Sequence, residues 1–198
     1  RVFIVAEPAG KKLKDGLSPT NPAAFVGASS SQDLADMSTK AGTDNGAGYL
    51  PGEYSLFNRK RYYSNYVAEN TFIVGYPEMC FNIAEGINRG WITSGDAEEW
   101  YMKGIKASLG FYGIPVDAAG SVSKTYEGIN YVIPFDFSGS YYPQAAVKYK
   151  GNNADGLTQI LTQKYFAFFQ NSGWEAFFNW RRTGVPTFSV GVGTGNSG

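Results

Sequence analysis

Apolar residues recur at helical spacing in two pairs of segments along the chain. In the first segment, residues 75–91, successive apolar positions are three or one apart: Tyr76, Met79, Cys80, Ile83, Ala84 and Ile87. This spacing predicts a helix with one apolar face. Pro77 suits the first turn of such a helix, and Gly90 suits its end. Glu78 and Glu85 are expected to project away from the apolar face.

A second apolar stripe follows the short connection WITSG and predicts a second helix. Its members are Ala97, Trp100, Tyr101, Gly104, Ile105, Ser108, Leu109 and Tyr112. Ser94 or Asp96 is expected to cap this helix. Because the connection is short, the two helices should be antiparallel. We expect Cys80 and Ile83 to be buried against Gly104 and Ile105.

The helical pattern resumes near the end of the chain. Leu157, Ile160, Leu161, Tyr165 and Phe168 form one stripe, and Trp174, Phe177, Phe178 and Arg181 form another. Asn171 or Ser172 is expected to cap the last helix. Gly184 is expected to end it, and Pro186 prevents it from continuing. Arg181 and Arg182 are expected to bond its final carbonyls.

These patterns predict a mainly α protein with two helical hairpins, at about 76–112 and 155–183. Residues 113–153 read as an irregular insertion with one strand, INYVIPFDF. Near the start of the chain, VFIVA suits a short strand and residues 27–48 have the composition of a surface loop. Stacked hairpins favour an α/α superhelix of the tetratricopeptide type. We interpret residues 1–198 as a single domain, a fragment or processed product of a longer protein.

Composition argues against several classes of function. The 17 basic and 17 acidic residues balance, so nucleic acid is not an expected partner. The absence of histidine removes the commonest general base and metal ligand, and one cysteine cannot form an internal disulfide or a zinc site. We therefore predict no catalytic residues, no metal and no cofactor. No apolar run is long enough to span a bilayer.

The segment 49–66, YLPGEYSLFNRKRYYSNY, is the candidate ligand-binding site. Its five tyrosines alternate with charged and amide residues and follow no single helical or strand period. Tyrosine rings and hydrogen-bonding side chains together suit a sugar, which has apolar C–H faces and a rim of hydroxyls. The predicted site residues are Tyr54, Asn58, Arg59, Tyr62 and Tyr63. The competing interpretation is a surface loop whose tyrosines pack back onto the helices.

Other motifs give weaker signals. Cys80 lies on an apolar stripe and reads as a packing residue, because no histidine can activate it. Gly193, Gly195 and Gly198 fit G-x-G-x-x-G, but no helix follows to bind a phosphate, so a flexible tail is the better interpretation. GTDNGAG around Asp44 lacks the further carboxylates of a calcium loop.

Four segments together resemble the SusD/RagB family of outer-membrane lipoproteins, in its SusD-like branch: RVFIVAEP, YPEMCFNIAEGINRGW, AEEWYMKGIKASLGFYGIP and QKYFAFFQNSGWEAFFNWRRTGVP. The resemblance implies a tetratricopeptide-like fold and a cell-surface protein that captures glycans or other nutrients. It also implies a SusC-like TonB-dependent transporter as partner and a lipid anchor, which is absent from this chain. The chain would be the C-terminal portion of such a protein.

Two other functions stay open at this stage. Glu78 and Glu85 are seven residues apart, so a glycoside hydrolase with paired carboxylates is one alternative. A tetratricopeptide-type scaffold that binds peptides in a groove is the other.

Overall fold

The structure is a computed structural model, and it describes residues 1–41, 52–170 and 172–191. The chain divides into two compact units. The N-terminal unit comprises Arg1–Ala68, Ser123–Ile133 and Phe188–Gly198, and the helical unit comprises Glu69–Val122 and Pro134–Thr187. That residues 1–198 form a single domain stays a prediction.

The N-terminal unit contains short helices where the sequence indicated a strand and a loop. Its helices are α1 (Val2–Val5), α2 (Gly10–Lys14), α3 (Leu34–Ala41) and α4 (Arg59–Tyr62). The segment VFIVA is one helical turn rather than a strand, and its last residue, Ala6, pairs with Phe57 in an isolated antiparallel bridge. Helix α3 lies inside the expected surface loop because Asp33 accepts a hydrogen bond from the Ala35 backbone N–H and caps it.

A β-hairpin stands in the insertion between the helical segments. Strand β2 (Ile129–Phe135) confirms the predicted strand, whereas its partner β1 (Gly120–Tyr126) was not predicted. Glu127 and Gly128 connect the strands, and both have positive φ, at 48° and 78°. This is the backbone that a tight two-residue hairpin turn requires.

The helical unit is built on α5 (Tyr76–Asn88) and α6 (Ala97–Phe111), and both predicted helices are confirmed. Asp96 accepts a hydrogen bond from the Glu98 backbone N–H and is the cap of α6. A Cβ added to Gly104 would lie 2.8 Å from the Phe81 ring, and one added to Gly95 would lie 3.4 Å from Ile87. Phe81 therefore faces the middle of α6, and Ile87 near the end of α5 faces Gly95 just before the start of α6, so the helices are antiparallel, as predicted.

The buried face of α5 differs from the predicted stripe. Cys80 is fully buried, as expected, but Ile83 is half-buried, and Phe81 occupies the position against Gly104. Glu85 is also buried, although its charge suggested an outward position. The reason is that α5 packs against both α6 and α7 (Ala154–Ala167), so its buried face is wider than one apolar stripe.

Helix α8 (Glu175–Thr183) is turned the opposite way from the prediction. Its aromatic stripe is exposed, whereas Asn179 is buried. Gly184 ends α8 in the left-handed conformation, as predicted. Ser172 does not cap α8, because its hydroxyl donates to the Phe168 carbonyl at the end of α7. Asn171, the other candidate cap, lies outside the described residues.

No helix within the described ranges has both the length and the hydropathy to cross a membrane.

Candidate functional site

The predicted sugar-binding segment forms α4 and the residues beside it in the N-terminal unit. Asn58 caps α4, because its side-chain oxygen accepts from the Arg61 backbone N–H at 3.1 Å. Its side-chain amide also donates to the Ile4 carbonyl at 2.9 Å. Asn58 therefore holds the segment in place, and its polar atoms already have protein partners.

Tyr54 and Tyr62 are half-buried and also contribute to the local structure. The Tyr54 hydroxyl donates to the Gln32 side-chain carbonyl at 2.7 Å. The Tyr62 ring packs edge-on against Phe57 with ring centroids 6.1 Å apart, and the Arg61 guanidinium lies 6.0 Å from the Tyr62 centroid. These contacts favour a supporting role for both rings.

Arg59 and Tyr63 form the open side of the segment. The Tyr63 backbone N–H donates to the Arg59 carbonyl at 2.9 Å, so the two residues lie one helical turn apart on the same side. Arg59 is exposed, and Tyr63 is 66% exposed. Tyr66, which was not among the predicted site residues, is fully exposed three residues later. The adjacent rings of Tyr62 and Tyr63 therefore differ in exposure, because Tyr62 is half-buried and Tyr63 is open to solvent.

Several sequence candidates lie outside the described residues. They are Tyr49 in the aromatic segment, Asp44 in GTDNGAG, and the glycines of the C-terminal G-x-G-x-x-G match. Within the described ranges, no group of three or more histidine, cysteine, aspartate or glutamate side chains could hold a metal ion.

The surroundings of Glu85 bear on the glycoside-hydrolase alternative, in which Glu78 and Glu85 would be the paired carboxylates. The Glu85 carboxylate accepts hydrogen bonds from both terminal guanidinium nitrogens of Arg182, at 2.6 and 2.8 Å, and from the Arg89 Nε, at 2.8 Å. Burial alone would raise the pKa of Glu85, but the hydrogen bonds from Arg182 and Arg89 outweigh it and hold that pKa below its ordinary value. A carboxyl held in its ionised form cannot act as a general acid at neutral pH.

The same ion pair corrects the expected role of Arg182. Its guanidinium bonds Glu85 on α5 and the Asn179 side-chain oxygen, at 3.0 Å, and not the final carbonyls of α8. This contact joins residues 97 positions apart, so local spacing gave no signal for it. The single charge of Glu85 within the run IAEGI, residues 83–87, was the available hint.

Cys80 has the environment of a packing residue. It is fully buried, and burial raises the pKa of its thiol, which keeps the thiol protonated and a poor nucleophile. The structure therefore confirms the interpretation of Cys80 as a packing residue.

Comparison with known proteins gives one family. Residues 22–198 match the model of the SusD-like family that is described as starch-binding and associating with the outer membrane. A search of curated proteins finds no match.

Two solved structures share the fold. A SusD homologue from Bacteroides fragilis is 28% identical, with a TM-score of 0.70 over 95% of this chain. An outer-membrane protein from Bacteroides vulgatus, provisionally assigned to nutrient binding, is 23% identical, with a TM-score of 0.73 over 98% of this chain. The chain spans 37% and 39% of the lengths of these two proteins.

Proposed function

Because the chain belongs to the SusD-like family, we propose that it is part of a cell-surface nutrient-binding protein of the outer membrane whose ligand is a glycan. The match of residues 22–198 to a family described as starch-binding carries this proposal. An α-glucan of the starch type is therefore the first ligand to test. A SusC-like TonB-dependent transporter as partner and a lipid anchor on the full-length protein belong to the same proposal.

The aromatic segment around α4 is the proposed contact with the glycan. All five predicted residues stay in the proposal with different roles: Arg59 and Tyr63 touch the sugar, whereas Tyr54, Asn58 and Tyr62 hold the segment in shape. An exposed ring beside an exposed guanidinium offers a stacking surface and directional donors. Tyr66 extends the same aromatic surface.

Isothermal titration of the full-length protein with maltooligosaccharides tests this site. Tyr63→Ala should weaken binding by about 1–2 kcal/mol, roughly tenfold, which is the scale of an aromatic contact. Arg59→Ala should have a smaller effect in the same direction. Trp91→Ala is the matched control, because Trp91 is also an exposed ring, at 70%, but lies in the helical unit. If both Tyr63→Ala and Arg59→Ala bind the glycan with unchanged affinity, the α4 segment is not the contact site. The proposed function would still stand in that case, because the unmodified protein would bind the glycan.

The proposal also assigns no catalytic role to the protein. Glycan incubated with it should be recovered intact by chromatography, because the Glu85 carboxylate is committed to two arginines. Shorter products that disappear on Glu78→Gln would favour the glycoside-hydrolase alternative instead.

A further inference from the structure

Helix α8 is attached to the helical unit through its polar face. Asn179 is 6% exposed, and Arg182 reaches Glu85 on α5 with two hydrogen bonds. The opposite face carries Trp174, Phe177 and Phe178, which are 70%, 45% and 57% exposed. These three rings contact each other, with centroids 5.7 and 5.8 Å apart along the series. We call them the α8 aromatic face. Contiguous apolar surface of this kind is typical of an interaction site.

An acidic cleft adjoins this face, and its lining includes Glu175, the residue that follows Trp174. Its volume is about 20 Å³, which is room for one small group, and its lining includes Phe72, Pro77 and Phe168 together with Glu78 and Glu175. Within the described part of the chain, neither carboxylate has a hydrogen-bond or ion-pair partner. The buried Lys164 acts electrostatically on both Glu78 and Glu175, but its ammonium donates its hydrogen bond to the Asn82 side-chain oxygen, at 2.7 Å.

The spacing of the aromatic face fits a helical partner. Trp174, Phe177 and Phe178 stand at positions i, i+3 and i+4, which form one ridge along a helix surface. Such a ridge packs against the groove of another helix whose apolar residues have the same period. The small cleft beside it combines ring walls with two carboxylates, and this combination suits the cationic end of a lysine or arginine whose stem lies across the rings.

We propose that the α8 aromatic face and the adjoining cleft are a docking surface for a basic amphipathic helix of a partner protein. The partner's apolar stripe lies on Trp174, Phe177 and Phe178, and one lysine or arginine of that helix places its charged end at the cleft, beside Glu78 and Glu175. A second copy of this chain fits less well. Antiparallel pairing of two α8 helices would bring Glu175 to Arg181, but it would supply no cation to Glu78 inside the cleft.

Synthetic helices provide the test, applied to this chain and to the full-length protein. One fluorescein-labelled 16-residue peptide carries leucines at i, i+3, i+4 and i+7 with a lysine beside them, and a second peptide has that lysine replaced by glutamate. Fluorescence anisotropy should show saturable binding of the lysine peptide and about tenfold weaker binding of the glutamate peptide, the scale of two partly exposed ion pairs. Added salt should reduce this difference.

Protein variants then separate the two parts of the surface. Glu78→Gln with Glu175→Gln should abolish the preference for lysine, and Phe177→Ser should weaken both peptides. Glu99→Gln and Trp91→Ala are the matched controls, because each changes an exposed residue of the helical unit away from the cleft. Circular dichroism verifies that each variant is folded. Phe177 is 45% exposed, so its replacement should leave the core intact.

Four results would overturn the proposal. The first is the absence of saturable binding at millimolar peptide, and the second is equal binding of both peptides. The third is self-association of the chain in sedimentation equilibrium that Phe177→Ser removes, which would make a second copy the occupant. The fourth is binding to this chain but not to the full-length protein, which would mean that the protein covers the surface with its own residues.

Discussion

The ion pair between Glu85 and Arg182 is the contact whose removal should be most informative about the helical unit. The Glu85 side chain is 5% exposed, whereas the Arg182 side chain is 46% exposed. Removing one member of a fully buried pair costs about 3–5 kcal/mol, and an exposed pair contributes about 0–1 kcal/mol. Solvent screens the outer end of Arg182, and Arg89 stays bonded to Glu85. We therefore expect Arg182→Met to lower the free energy of unfolding by about 2 kcal/mol.

Urea denaturation followed by far-UV circular dichroism and tryptophan fluorescence measures this change. The matched control is Glu99→Gln, which breaks an exposed pair with Lys103 on α6. It should change stability by less than about 0.5 kcal/mol. The double replacement Glu85→Leu with Arg182→Leu should cost less than Arg182→Met, because it leaves no buried carboxylate without its partner. If Arg182→Met were no more harmful than Glu99→Gln, the pair would not hold α8 to α5.

The pH dependence of the free energy of unfolding gives an independent check of the direction in which folding shifts the pKa of Glu85. The pKa of Glu85 is lowered from its ordinary value of 4.5 on folding, so its ionised form stabilises the folded state. That contribution is fully present above pH 4.5 and is lost as the pH falls through the lower folded pKa. The stability difference between the unmodified protein and Glu85→Gln should shrink over that acidic range. A difference that stays constant from pH 7 to the acid transition would contradict the assigned pKa direction.

Two further predictions concern the packing of α5 against α6. Gly104→Leu should lower the free energy of unfolding by about 1–3 kcal/mol in a urea melt, because even a Cβ there would lie 2.8 Å from Phe81. Gly110→Ala on the same helix is the control and should be neutral or stabilising, because no atom lies within 4 Å of its added Cβ; equal losses for the two variants would argue against overpacking. The Cys80 thiol should not react with a thiol reagent such as dithionitrobenzoate in the folded protein and should react fully in urea, because it is buried and its pKa is raised. Rapid reaction without urea would place Cys80 at the surface.

Local patterns in the chain were sufficient for the four long helices of the helical unit and for several of their ends. Three-and-four spacing predicted α5, α6, α7 and α8, Gly184 was identified as a helix end from its residue type, and Asp96 was one of the two candidate caps of α6. Each of these features depends on side chains within a few positions of one another, which is why spacing and capping preferences are informative. The family resemblance was likewise visible in short segments, and the comparison over residues 22–198 confirms it.

The tertiary structure decided which face of each helix is buried. Helix α8 illustrates the reason: its most apolar face is exposed, and its polar face is fixed by a bond from Arg182 to a residue 97 positions earlier. Helix α5 buries Phe81 and Glu85 because it contacts two helices, and the number of its neighbours is not encoded in its own period. In the aromatic segment, composition selected the residues, but only the structure separated their roles. Asn58 supports the segment because it bonds the Ile4 carbonyl, and Tyr63 lies on the open surface because its ring is exposed. Periodicity fixes the existence of a helix through neighbours in sequence, whereas its orientation depends on long-range partners, and those exist only once the chain has folded.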